Sequence, residues 1–216
     1  MHISISNLNL IKQDLKSKVE NYDNLKVIAV SKTFTIEQIK PLIEYGHLDY
    51  GENKVQEAVL KWSNIKLKYP NIKLHLIGKL QTNKVKPSIQ LFDYIHSVDN
   101  QKLAKKISDE ELKQNKKVKI FIQVNVGNEN QKSGIQKKEI KDFYLYCQEL
   151  KLNVIGLMCI PPANSNSIYF FKEMQELNRE LKLLELSMGM SSDFIEAARH
   201  SATYLRIGSK IFGNRS

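Results

Sequence analysis

KVIAVSK, residues 26–32, is the run on which the reading of the fold turns. Val27 through Val30 are apolar without any polar alternation, the pattern of a strand buried on both faces. Such strands belong to parallel sheets, whose neighbours need a crossover that is usually a helix. Upstream, MHISISNLNLIKQDLKSKVE (1–20) spaces its apolar residues as an amphipathic helix and lacks the basic head and apolar core of a secretory signal. Downstream, a helix at about 35–45 leads to LDYGEN (48–53) and a helix over 54–68. IKLHLIG (72–78) precedes a short helix from about 82, and FDYIHSVD (92–99) precedes one near 100–114.

The second half keeps this rhythm. VKIFIQVNV (118–126) leads to a helix at about 137–150, and LNVIGLMCI (152–160) to one near 165–183. LELSMGMSS (184–192) leads to a helix near 191–200, and TYLRIGSKIFG follows at 203–213. Strand cores fall near 26–31, 48–50, 73–77, 94–97, 118–125, 153–158, 184–187 and 203–207. Eight strands alternating with helices predict an α/β fold, a single (β/α)8 TIM-type barrel with an extra N-terminal helix, as one domain over 1–216. An open doubly wound sheet is the alternative, and the absence of a GxGxxG turn after the first strand counts against its dinucleotide-binding form. Only IPPANSNS (160–167) has the composition of an irregular loop.

Composition narrows the partners. Hydrophobic residues make up 42% and charged residues 26%, and no run approaches the roughly 20 apolar residues of a membrane span, so no membrane partner is expected. A net charge of +10 invites nucleic acid, yet the lysines interleave with Asp and Glu, as in KKISDEELKQNKK (105–117) and QKKEIKDF (136–143). That reads as solvated helix faces, and an RNA-binding function without cofactor is set aside, to be tested by the salt dependence of binding. Cys147 and Cys159 form no CxxC pair and have no histidine nearby, so reduced core thiols in a cytoplasmic protein are expected and no metal.

In a barrel the chemistry sits at the C-terminal ends of the strands. The residues there are polar and specific: Lys32, Asn53, Asn125, the turn with Ser191 and Ser192, and Arg206 with Gly208 and Ser209. Loops after strands seven and eight are common phosphate sites in barrels, and Ser191, Ser192, Gly208 and Ser209 offer hydroxyls and close backbone approach; ordinary helix caps and a turn glycine are the alternative. Lys32 ends an apolar strand, where partial desolvation favours the amine that condenses with an aldehyde, although many strand-end lysines simply reach solvent. An amine facing a phosphate cradle across the barrel mouth suits pyridoxal 5'-phosphate (PLP) as cofactor. Arg206 pointing inward would donate to the pyridine nitrogen and oppose its protonation, which suits cofactor holding or racemase-like chemistry; a rim ion pair is the alternative. His75 reads as a hydrogen-bonded interior histidine with no second histidine or acid at dyad spacing, and Asp193 as a first-turn charge. Asn53 and Asn125 are candidates to orient a ring or to close turns.

AVSK (29–32), GEN (51–53), HLIGKLQTNK (75–84), HSVD (96–99), QVN (123–125), KSG (132–134), GLM (156–158), LSMGMSSD (186–193) and RIGSKIFG (206–213) occur in an order that closely resembles the pyridoxal phosphate homeostasis protein family, the YggS/PROSC type, related to the N-terminal domain of alanine racemase. The resemblance implies a racemase-type barrel with Lys32 as the Schiff-base residue. It further implies Ser191, Gly208 and Ser209 at the phosphate, Arg206 at the pyridine nitrogen and Asn53 near the ring. Such proteins resemble PLP carriers without established turnover, with PLP-dependent apoenzymes as their prospective partners. This chain departs from the family in reading Ser201-Ala202-Thr203 where Gly-Ser-Thr is usual, and Ser209 where Thr is frequent. The alternative function is a PLP-dependent amino-acid racemase, which needs a second base opposite the lysine that alanine racemase takes from another domain of a partner subunit. With Ser216 closely following the last strand, a monomeric cofactor holder is the expectation.

Overall fold

In the computed structural model, which describes residues 1–20, 22–129, 131–163 and 165–213, eight parallel strands close into a barrel. Asn164 of the proline-bearing loop and Ser216, where the expected domain ended, lie outside the described residues. The strands are β1 (Lys26–Val30), β2 (Asp49–Glu52), β3 (Lys73–Leu76), β4 (Tyr94–Val98), β5 (Lys119–Val124), β6 (Asn153–Cys159), β7 (Glu185–Ser187) and β8 (Tyr204–Ile207). Their order follows the chain, and β8 returns to β1 through the pairs Lys26 with Tyr204 and Ala29 with Ile207, which excludes the open sheet. The helix α1 (Ile3–Lys18) precedes them, and α2 (Ile36–Glu44), α3 (Val55–Lys68), α4 (Val85–Leu91), α5 (Gln101–Gln114), α6 (Ile140–Glu149), α7 (Ser167–Glu180) and α8 (Phe194–Arg199) are the crossovers. A last turn, α9 (Ser209–Phe212), follows β8 and receives α1, whose Asn7 amide donates to the Ile211 carbonyl at 3.1 Å.

Side chains alternate between the two faces of each strand, so one barrel has two cores. The outward set, including Val27, Ala29, Leu74, Leu76, Ile120, Ile122, Leu205 and Ile207, packs against the helices with Trp62 and Phe92. The inward set is smaller and aromatic: Ile28, Tyr94, Phe121, Met158 and Tyr204. Both cysteines are buried and free, and burial pushes each thiol up to about 12. Among the described residues no helix is long and apolar enough to cross a membrane.

The β6–β7 seam depends on Gly156, paired with Glu185, because a Cβ at Gly156 would run into the Glu185 carbonyl. Gly156→Ala is expected to cost about 2 kcal/mol as overpacking, lowering Tm by roughly 5 °C in a thermal melt. An unchanged Tm would mean the seam relaxes freely. Ser201, one of the departures from the family the chain resembles, takes the left-handed conformation, φ 65°, that glycine adopts at no steric cost. The neighbouring Ala202 is buried in the outer core, so that position carries packing here.

Candidate functional site

The strands of a parallel barrel all end on one face, and six of the residues singled out by the sequence converge there. Lys32, Asn53, Ser191, Arg206, Gly208 and Ser209 line one cavity of about 680 Å³. Lys32 is half-buried in the turn after β1. Arg206, from β8, is only 4% exposed and points into the barrel instead of pairing at the rim. Its guanidinium donates to Ser187 Oγ at 2.7 Å and to the Cys159 carbonyl at 2.8 Å, and burial draws its pKa below the ordinary value.

The last two strand-end turns meet through their serines. Ser209 Oγ donates to Ser191 Oγ at 3.1 Å, and the Lys210 backbone N–H reaches the same Ser191 oxygen at 3.5 Å. Gly208 lies against β1, where an added Cβ would come within 3.3 Å of the Val30 carbonyl. Two hydroxyls and backbone N–H groups thus gather on one side of the cavity, the donor set a phosphate oxygen needs. Asp193 serves the same turn: its Oδ1 accepts from the Met190 N–H at 2.7 Å.

Lys32 is held from behind by a charged cluster that sequence spacing did not single out. Ser31 Oγ donates to Glu52 Oε1 at 2.8 Å, Trp62 Nε1 donates to the same oxygen at 3.0 Å, and Lys61 Nζ does so at 3.0 Å. Lys61 also donates to the Ser31 carbonyl at 3.0 Å, while the Thr33 N–H donates to Glu57 Oε1 at 2.9 Å. Burial opposes ionisation of Glu57, but the Thr33 N–H and the Lys61 ammonium outweigh it and hold its carboxyl below the ordinary value. Both chain neighbours of Lys32 are therefore fixed by α3. The serine of AVSK and the glutamate of GEN are bonded to each other, which is why those two short motifs belong together. The signals in the sequence were Glu57 and Lys61 four apart and the lone tryptophan beside them.

Other motif residues fasten loops. Asn53 lines the cavity, and Gly78 packs so closely on the Asn53 backbone that a Cβ would collide with it. Ser97 donates to the Gly78 carbonyl at 2.7 Å, and Asp99 accepts from the Gly134 N–H at 3.1 Å. Asn125 does not reach the cavity lining: its amide closes on Glu129, accepting from the N–H at 3.1 Å and donating to the carbonyl at 2.9 Å. It closes a turn, as the second of its two readings had it. His75 is interior as expected, but it does have partners, His96 at 3.0 Å and Asp49 at 2.9 Å. They come from the flanking strands β4 and β2, twenty or more positions away, so local spacing could not reveal them. Ser192 of the seventh strand-end turn also lines the cavity, and Lys79, Gln123 and Ser133, which lie in the quoted motifs but were not singled out as site residues, add to its polar lining. Among the described residues no cluster of metal-ligating side chains occurs.

The family model "Alanine racemase, N-terminal domain" matches residues 6–216. The pyridoxal phosphate homeostasis protein of Aquifex aeolicus is 40% identical over 200 residues, covering 88% of this chain and 87% of that protein. Its Escherichia coli counterpart is 33% identical over 203 residues, with 89% and 87% covered. The solved structure of PipY from Synechococcus elongatus with PLP bound superimposes with a TM-score of 0.86 at 30% identity, covering 98% of this chain and all of the other. The alanine racemase of Clostridium difficile shares the fold at a TM-score of 0.73 and 15% identity, and this chain spans 56% of its length.

Proposed function

Because the chain belongs to the pyridoxal phosphate homeostasis protein family, built on the alanine racemase N-terminal domain, we propose that its barrel, over residues 1–216, holds PLP as a Schiff base on Lys32 and serves intracellular PLP homeostasis. The observation that carries this reading is that Lys32, Arg206 and the Ser191–Ser209 pair line one cavity. The donor set fits the molecule: an amine for its aldehyde, hydroxyls for its phosphate and a donor-only guanidinium for its ring nitrogen. When bound, the cofactor supplies the aldehyde carbon, and condensation forms one C=N bond and releases the aldehyde oxygen as water.

The rest is done by the protein. Ser191 and Ser209 hold the phosphoester, with Gly208 keeping that corner clear, and Asn53 borders the ring. Arg206 has no acceptor atom and opposes protonation of the ring nitrogen, which limits the ring as an electron sink and suits holding better than turnover. PLP-dependent apoenzymes as recipients, a monomeric state and a cytoplasmic location complete the proposal.

The test is borohydride reduction of protein loaded with one equivalent of PLP, followed by peptide mapping. A pyridoxyl group on the Lys32 peptide supports the reading, and label scattered over surface lysines sinks it. Robust formation of D-alanine from L-alanine by the same preparation would move the protein to the racemases. Ser191→Ala and Ser209→Ala are each expected to weaken PLP affinity about tenfold in a fluorescence titration, since each removes one hydrogen bond to a charged group.

A further inference from the structure

TIM-barrel interiors are usually filled by branched apolar side chains. Here five polar residues from five strands touch in series through the interior. Arg206 of β8 meets Ser187 of β7 at 2.7 Å, and Ser187 meets His96 of β4 at 2.8 Å. His96 meets His75 of β3 at 3.0 Å, and His75 meets Asp49 of β2 at 2.9 Å. His75, His96 and Ser187 are fully buried, with His75 stacked on Tyr94 and His96 on Phe121. Arg206 lines the cavity at the C-terminal mouth, while Asp49 lines a smaller one with Lys12 and Lys26 at the other end.

The two ends fix the order of protons between them. A guanidinium only donates, so Ser187 Oγ accepts from Arg206 and gives its own proton to His96 Nδ1. His96 then carries its proton on Nε2 and donates to His75 Nδ1, and His75 donates from Nε2 to the Asp49 carboxylate. The opposite order would set a bare imidazole nitrogen against a carboxylate, and an added proton on His75 would set two N–H groups against each other. Burial keeps both imidazoles below their ordinary pKa, and although burial opposes ionisation of Asp49, the hydrogen bond from His75 and the nearby Lys26 ammonium hold its pKa below the ordinary value. Among the described residues Arg206 has no ion-pair partner; the Asp193 carboxylate acts on it through space without a direct contact, and the carboxylate that ends the hydrogen-bonded series is Asp49.

We propose that Asp49, His75, His96 and Ser187 are positioning residues for Arg206, forming a one-way hydrogen-bond relay along the barrel that aims the guanidinium at the cofactor's ring nitrogen and helps keep that nitrogen unprotonated. The role toward the ring rests on the PLP reading of the cavity, whereas the proton order belongs to the protein alone. Nitrogen-15 NMR of the imidazoles in cofactor-free protein reads that order: both His75 and His96 are expected as the neutral Nε2–H tautomer. In PLP-loaded protein the pH at which the bound chromophore's absorption changes is expected to move by about one unit in Ser187→Ala. Asp49→Asn, which removes the charge and keeps an acceptor, shifts it the same way by less, and Ser187→Thr, which keeps the hydroxyl, restores the wild-type profile. A merely structural role would change stability and leave that profile in place.

The opposite tautomers in the wild type, or an unchanged chromophore profile in both Ser187→Ala and Asp49→Asn, overturn the relay. Should a variant fail to fold, the wild-type tautomers alone still decide the proton order. If wild-type protein forms no chromophore, the cofactor reading falls and takes the role toward the ring with it, a result distinct from a chromophore that forms and ignores the variants.

Discussion

Lys32→Ala is expected to reduce the borohydride-trapped pyridoxyl adduct to background while leaving the far-ultraviolet circular dichroism unchanged. The chain is rich in lysine, with 33 Lys and Arg together, so any aldehyde labels its surface at high concentration. What distinguishes Lys32 is its place: after β1 it lines the cavity where the Ser191–Ser209 pair lies, so on the proposed reading a molecule with an aldehyde and a phosphate would be held by both ends. Tethering converts the condensation from a bimolecular encounter into a local one, and effective concentrations in such arrangements exceed any surface amine's by orders of magnitude. At one equivalent of PLP, therefore, the adduct should vanish with Lys32. Lys32→Arg is the discriminating control, because it keeps a positive charge but cannot condense with an aldehyde under these conditions. An adduct that survives in both variants would place the reactive amine elsewhere in the cavity, with Lys79 the first alternative to map.

Glu52→Ala should produce the largest loss of stability, on the order of 3–5 kcal/mol in urea denaturation, because it removes one partner of a buried ion pair. Glu52 is fully buried and its Oε1 accepts from Ser31, Lys61 and Trp62, while the Lys61 side chain is only 10% exposed. Truncation leaves an ammonium and two further donors without that oxygen, with Glu57 at 3.4 Å the one remaining carboxylate for Lys61 among the described residues. Glu52→Gln keeps an acceptor and should lose less, about 2 kcal/mol. The double variant Glu52→Leu with Lys61→Met separates stability from positioning. Replacing both charges with apolar groups of similar size is often close to neutral, but Ser31 Oγ and Trp62 Nε1 still lack the Glu52 oxygen, so about half of the lost stability should return. The Ser31 carbonyl would still lack its Lys61 donor, so PLP affinity should stay below wild type. Full recovery of affinity together with stability would show that the cluster serves the fold and does nothing for Lys32.

Much of this protein was legible in its sequence because hydrophobic periodicity is a local property. The unbroken apolar run of KVIAVSK marks a strand buried on both faces, and eight strands alternating with helices favoured a closed parallel barrel over the open sheet, which only the pairing of β8 with β1 excludes. Strand ends in that architecture share one face, so Lys32, Asn53, Ser191, Arg206, Gly208 and Ser209 could be placed together before any coordinates. Asn125 shows the limit: it ends a strand like the others, yet its side chain is taken by the backbone of its own loop four residues on.

What the sequence determined by itself is the order of elements and which residues reach the barrel mouth, since both follow from spacing along the chain. What only the tertiary structure decided is who stands behind those residues. The Ser31–Glu52–Lys61–Trp62 cluster and the series from Arg206 to Asp49 join side chains from different strands and helices, and the register and curvature that bring them within 3 Å come from closure of the whole sheet. A hydrogen bond needs its two atoms placed to a few tenths of an ångström, a condition set by the packing of all eight strands and invisible to any window of sequence.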